Sequence, residues 1–198
     1  MPITPEELIA RNRAWVDRKV QGDPSFFARL AHQQTPEYFW IGCSDSRVPA
    51  TEIVDLDPGE MFVHRNVANV AAADDPNFAA ALVFAVDVLR VRHVIVTGHY
   101  GCGGIGAAMT PDEGGPVNAW ISPIREHYHR HGAALDAIPD MQARSDRLCE
   151  LHVMEQIDQL SRNPVIVDAW TRRGGPMLHG WVYDIRDGLI RSICTRHP

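Results

Sequence analysis

Apolar residues follow two alternating patterns along this chain. Tyr38-Phe-Trp-Ile-Gly-Cys43 is a short continuous apolar run of strand length, as expected for a buried strand. Met61-Phe-Val-His-Arg65 and His93-Val-Ile-Val-Thr97 read as two further strands. Between them, after Asp75-Pro-Asn, residues Phe78, Leu82, Ala85, Val86 and Leu89 recur near helical spacing, which predicts a helix over 78–90. Helices are also expected over about 117–131, 140–160 and 163–173, the last stopped by Gly174-Gly-Pro. Met177–Tyr183 and Leu189–Thr195 read as two final strands joined across Asp187-Gly188, a hairpin signal. At the N-terminus Thr4-Pro5-Glu6-Glu7 has the form of a capping box opening a helix to about Lys19. Asp23-Pro-Ser then opens a second short helix, with Phe26, Phe27, Leu30 and Ala31 on one side.

Strands alternating with helices predict an α/β fold. We expect one domain over 1–198, with a helical arm (1–35) ahead of an α/β core (36–198). The central sheet should be mostly parallel, order 2-1-3-4 plus an antiparallel edge strand, and flanked by helices. The apolar face of the arm, with Trp15, Phe26 and Phe27, is large for one small domain to cover, which points to a second subunit.

Composition adds exclusions. The chain has 198 residues, 45% of them hydrophobic, enough for one substantial core. A net charge of -6 without a dense basic run argues against nucleic acid or an anionic membrane as partner. No apolar run reaches a membrane span, and Met1-Pro-Ile-Thr-Pro-Glu-Glu does not read as a signal peptide, so a cytoplasmic protein is expected. In a reducing compartment its four cysteines point to metal binding or burial rather than disulfides. Cys149, in a predicted helix, and Cys194, in a predicted strand, read as buried structural residues.

The other two lie in clusters that carry chemistry: Cys43-Ser-Asp-Ser-Arg47 and His99-Tyr-Gly-Cys102. Two thiolates and an imidazole suit zinc and leave its fourth position for water or substrate. Asp45 can take that position, or leave it open by pairing with Arg47. Either cluster alone is weak. In an open α/β sheet, however, the carboxyl ends of adjacent strands gather at one edge, which would bring Cys43 and His99 together. Gly101, Gly103, Gly104 and Gly106 would allow close backbone approach. The function first indicated is zinc-assisted activation of water. His127, His129 and His131 are spaced by two, which does not align side chains on one helix face, so they read as a solvated or interface face.

Three motifs in order, Trp40-Ile-Gly-Cys-Ser-Asp-Ser-Arg-Val-Pro49, Phe62-Val-His-Arg-Asn-Val-Ala-Asn69 and Gly98-His-Tyr-Gly-Cys-Gly-Gly104, resemble the β-class carbonic anhydrases. Leu148–Gln156 and His179–Tyr183 are also similar, although His152 stands where such sequences often have Asn. The resemblance implies reversible hydration of CO2 to bicarbonate. It also implies one zinc ion per chain on Cys43, His99 and Cys102, an Asp45–Arg47 dyad, and substrate contacts at Gln34 and Gly103. A homodimer that pairs into a dimer of dimers is implied as well. Trp40, Arg65 and Tyr183 match the non-catalytic bicarbonate pocket of a bicarbonate-regulated, bacterial-type subgroup. In that subgroup Asp45 moves onto zinc in the inactive state and the Val48 region shifts. Two rival readings are hydrolysis of a CO2-like molecule such as carbonyl sulfide, and a zinc-stabilised module without catalysis.

Overall fold

The computed structural model describes residues 3–32 and 34–198. They divide into two compact units at the Thr35/Pro36 junction. In the first unit, helix α1 (Pro5–Gly22) starts as its sequence dictates. The Thr4 hydroxyl accepts the Glu7 N–H at 3.2 Å, and the Glu7 carboxylate accepts the Thr4 N–H at 2.8 Å. Helix α2 (Phe26–His32) begins later than its Asp23-Pro-Ser signal, because the Asp23 carboxylate accepts the Ser25 N–H and makes a turn there instead. The rings of Trp15, Phe26 and Phe27 pack edge-on against one another. What α1 leaves exposed is a different set, with Leu8 and Ile9 more than half accessible.

The second unit is built on a five-stranded sheet of order β2-β1-β3-β4-β5. The strands are β1 (Tyr38–Cys43), β2 (Met61–Asn66), β3 (His93–His99), β4 (Met177–Asp184) and β5 (Leu189–Arg196). β1 to β4 are parallel and β5 is the antiparallel edge, as the strand pattern predicts. The hairpin closes where the Gly188 N–H reaches the Asp184 carbonyl at 2.8 Å.

Helices α3 (Pro76–Val83), α4 (Gly103–Ala108), α5 (Gly115–Trp120), α6 (Ser122–Arg130), α7 (Gly132–Asp136), α8 (Met141–Ser161) and α9 (Pro164–Arg173) flank it. Two expectations are corrected. The helix expected over 117–131 is split at Ile121, since Pro123 has no N–H to continue a ladder and sits instead in the first turn of α6. The helix over 78–90 is α-helical only to Val83 and then widens into a π turn over Phe84–Val88.

The alternation of side chains sorts the core. Phe39 and Ile41 of β1 pack with Phe78, Leu82, Val96 and Ile157 on one face, and Trp40 packs with Ala50 and Ile95 on the other. A third cluster lies at the carboxyl edge of the sheet, with Cys43, Ala68, Cys102, Ile105 and Cys149 buried together.

Candidate metal centre and active site

The site follows from strand register. β1 and β3 are parallel neighbours, with Trp40 beside Ile95 and Gly42 beside Thr97, so Cys43 and His99 end at one edge. Gly101, at φ +70°, turns the chain after β3, and α4 begins one residue beyond Cys102. That places the Cys102 sulfur 3.9 Å from the Cys43 sulfur. With the His99 nitrogen they form a buried set whose ligand atoms all lie within 4.8 Å of one another.

The tautomer of His99 is set by its neighbour. Its Nδ1 sits 3.1 Å from the Tyr100 carbonyl, which can only accept, so Nδ1 carries the proton and Nε2 the lone pair. That Nε2 is buried with no hydrogen-bond partner. A lone pair buried without a donor is costly, and a metal ion supplies what is missing. The two sulfurs are close enough to hydrogen-bond to each other. Cys43 is pulled down to about 4, first by the hydrogen bond from Cys102, with the backbone N–H of Ala68 adding to it and burial opposing, while Cys102 is pushed up. A divalent cation between the sulfurs would let both ionise. Two sulfurs and one imidazole are a zinc donor set with one position left over.

Asp45 is held by Arg47. The guanidinium Nε lies 3.0 Å from Oδ1 and Nη2 lies 2.8 Å from Oδ2. This pairing, with burial opposing it, holds the Asp45 carboxyl well below the usual range. Oδ2 stays 3.7 Å from His99 Nε2, so the carboxylate borders the ligand set while paired with Arg47. Arg47 also donates to the Gly101 carbonyl at 3.3 Å, tying the two loops together.

Several supporting contacts have no mark in the sequence. The Cys149 thiol donates to the His99 carbonyl at 3.3 Å, and the Ala68 N–H points at the Cys43 sulfur at 3.4 Å. Of the clustered glycines, Gly104 is needed for close approach, because a Cβ there would lie 2.9 Å from that of Ala68. At Gly103, an exposed residue that opens α4, a Cβ would meet nothing within 4 Å.

The remaining candidates fall as follows. Trp40, Arg65 and Tyr183 lie on one sheet face by register, since Gly42 pairs with Arg65 and with Thr97, and His99 pairs with Tyr183. Trp40 is buried, and the Arg65 guanidinium donates to the carbonyls of Cys43 at 2.9 Å and Asp45 at 2.6 Å. Gln34 is exposed and belongs to the first unit. His127 is buried rather than solvated, and its ring lies 4.6 Å from that of His131, one helical turn on. No helix among the described residues is long and apolar enough to cross a membrane.

An open α/β sheet whose strand ends bring two thiols and an imidazole together, with an arginine-held carboxylate beside them, defines the class of α/β proteins whose strand-end site could hold a zinc-type ion. Residues 38–190 match the carbonic anhydrase family. A carbonic anhydrase of Emericella nidulans is 46% identical over 98% of this chain and 86% of its own. One of two tetrameric β-carbonic anhydrases from Sordaria macrospora superposes with a TM-score of 0.93 at 39% identity, covering 96% of this chain and 98% of its own. A Coccomyxa β-carbonic anhydrase, solved with acetazolamide, gives 0.93 at 34% identity over 99% of this chain and 88% of its own. The chain belongs to the β-class carbonic anhydrase family.

Proposed function

We propose that this chain catalyses the reversible hydration of CO2 to bicarbonate and a proton with one zinc ion held by Cys43, His99 and Cys102. The observation that carries this reading is the buried, partnerless Nε2 of His99 facing two sulfurs. When bound, the ion supplies Lewis acidity that lets water ionise near neutral pH. The two thiolates put negative charge on that centre, which weakens the acidity and favours activity on the alkaline side. Asp45, kept ionised by Arg47, acts as a hydrogen-bond acceptor beside the ligand set and orients the attacking oxygen. A purely structural site has no use for such a dyad, which argues against a non-catalytic module. Gln34 and Gly103 are proposed substrate contacts.

We propose further that bicarbonate inhibits the enzyme at Trp40, Arg65 and Tyr183. Their shared sheet face supports this, as does the hold of Arg65 on the backbone of Cys43 and Asp45: an anion drawing on that guanidinium would act on the loop that carries the dyad. A homodimer, itself paired into a tetramer, is supported by the exposed Leu8 and Ile9 of α1 and Val63 and Val67 at the β2 edge. The four free cysteines suit a cytoplasmic setting.

The test is Cys102→Ser. It should lose zinc and CO2 hydration together, and a variant with full zinc and full turnover would refute the ligand assignment.

A further inference from the structure

A chain of contacts reaches the Cys43 sulfur from the middle of α8. Ala68 has φ 61° and ψ 31°, in the left-handed region that residues with a Cβ avoid. The next residue, Asn69, is there too, at φ 47°. In this conformation the Ala68 N–H reaches Cys43 Sγ at 3.4 Å, while its carbonyl meets His152 Nε2 at 2.9 Å. A carbonyl can only accept, so Nε2 carries the proton and donates it.

Neighbouring groups fix the flanks of the segment. Trp120 donates its indole N–H to the Val67 carbonyl at 2.8 Å, and Asn66 bonds both the N–H and the carbonyl of Val70. Gln156, one turn beyond His152 on α8, accepts the Ala71 N–H at 2.7 Å. At Ala68 itself the hold on the carbonyl comes from His152. Burial pushes the His152 imidazole down to about 4, so at neutral pH it is neutral and has one N–H to give. The residue borders a cavity of about 240 Å³ that it shares with Val70, His127 and Glu155, so replacements of similar size have room to settle.

We propose that His152 is a positioning residue for the metal centre: by donating to the Ala68 carbonyl it holds the left-handed turn that presents the Ala68 N–H to the Cys43 sulfur, and so sets how much charge that sulfur passes to the bound ion. The proposal rests on Cys43 being a ligand. A hydrogen bond to a thiolate draws electron density off it. When the turn relaxes, the sulfur becomes a stronger donor and its place in the coordination shell less defined. Partners of this outer kind commonly change metal affinity or activity by about 10–100-fold.

The experiment compares the parent chain, His152→Gln and His152→Met after loading with cobalt(II), which reports thiolate ligation through sulfur-to-metal charge-transfer absorption in the near ultraviolet. Glutamine places an amide N–H close to where Nε2 stands, and methionine fills the space without a donor. We expect the glutamine variant to keep the parent band. The folded methionine variant should move it to longer wavelength and bind zinc about tenfold or more weakly in chelator competition. A folded methionine variant with the parent band and parent zinc affinity overturns the proposal. If that variant does not fold, the glutamine variant decides alone: a parent band supports the proposal and a shifted band overturns it. A parent cobalt complex without any thiolate band would overturn the ligand reading beneath it.

Discussion

Replacing His152 should change how stability responds to acid, by an amount the structure sets. The residue is 2% exposed, and burial, reinforced by the nearby His127, lowers its imidazole from 6.5 to about 4. The unfolded chain binds a proton at this side chain below pH 6.5, whereas the folded chain does not until about pH 4. Stability is therefore full above 6.5, falls as pH drops through that window, and levels off below about 4. At 1.36 kcal/mol per pH unit the loss from this one group is roughly 2 kcal/mol at pH 5 and about 3 kcal/mol at its limit. His64, His93, His127 and His179 are also held low by burial and act in the same direction, so the parent alone would not isolate the effect. His152→Gln removes only the one titration. Urea unfolding at pH 7.5 and pH 5 should therefore show the parent losing about 2 kcal/mol more than the variant. That is a difference of about 1 M in midpoint for a slope near 2 kcal/mol/M. Equal losses in parent and variant would show that His152 is not a neutral buried imidazole in the folded chain.

Two further outcomes follow from the site. Arg47→Ala should keep its zinc but lose about 10–100-fold in CO2 hydration, because both Asp45 oxygens lose the guanidinium, Oδ1 keeping only the residue-47 backbone N–H at 2.9 Å, and the carboxylate is freer to turn toward the metal. Stopped-flow assays on metal-quantified variant would contradict this by returning parent rates at every pH. Arg65→Ala should reduce inhibition by added bicarbonate several-fold in a variant shown to be folded and zinc-loaded, and unchanged inhibition would remove Arg65 from the regulatory site.

Much of this was legible in the chain. Apolar runs of strand length alternating with helices lead to a mostly parallel sheet, and two of those runs end at a ligand cluster, so that Cys43 meets His99 and Cys102 where parallel neighbours end at one edge. The Asp45–Arg47 spacing suits an ion pair, and the pair is there. What could not be read depends on backbone conformation and distant packing. Ala68 is no turn former, and nothing in its sequence position marks a left-handed residue or a partner 84 positions away. The spacing of two separates His127, which is buried, from the exposed His129, and it does not mark the helical turn that brings His127 to His131. The glycines looked alike in sequence, yet only their neighbours in space distinguish Gly104, against Ala68, from Gly103, which is open.

The proposed CO2 hydration depends on a metal held by Cys43, His99 and Cys102. The most direct measurement is stopped-flow CO2 hydration by the purified chain as zinc is removed and then returned in known amounts. Activity is expected to disappear with the metal and to return in proportion to zinc up to one ion per chain. Hydration that persists in metal-free protein, or that stays absent at full zinc occupancy across neutral and alkaline pH, would contradict it.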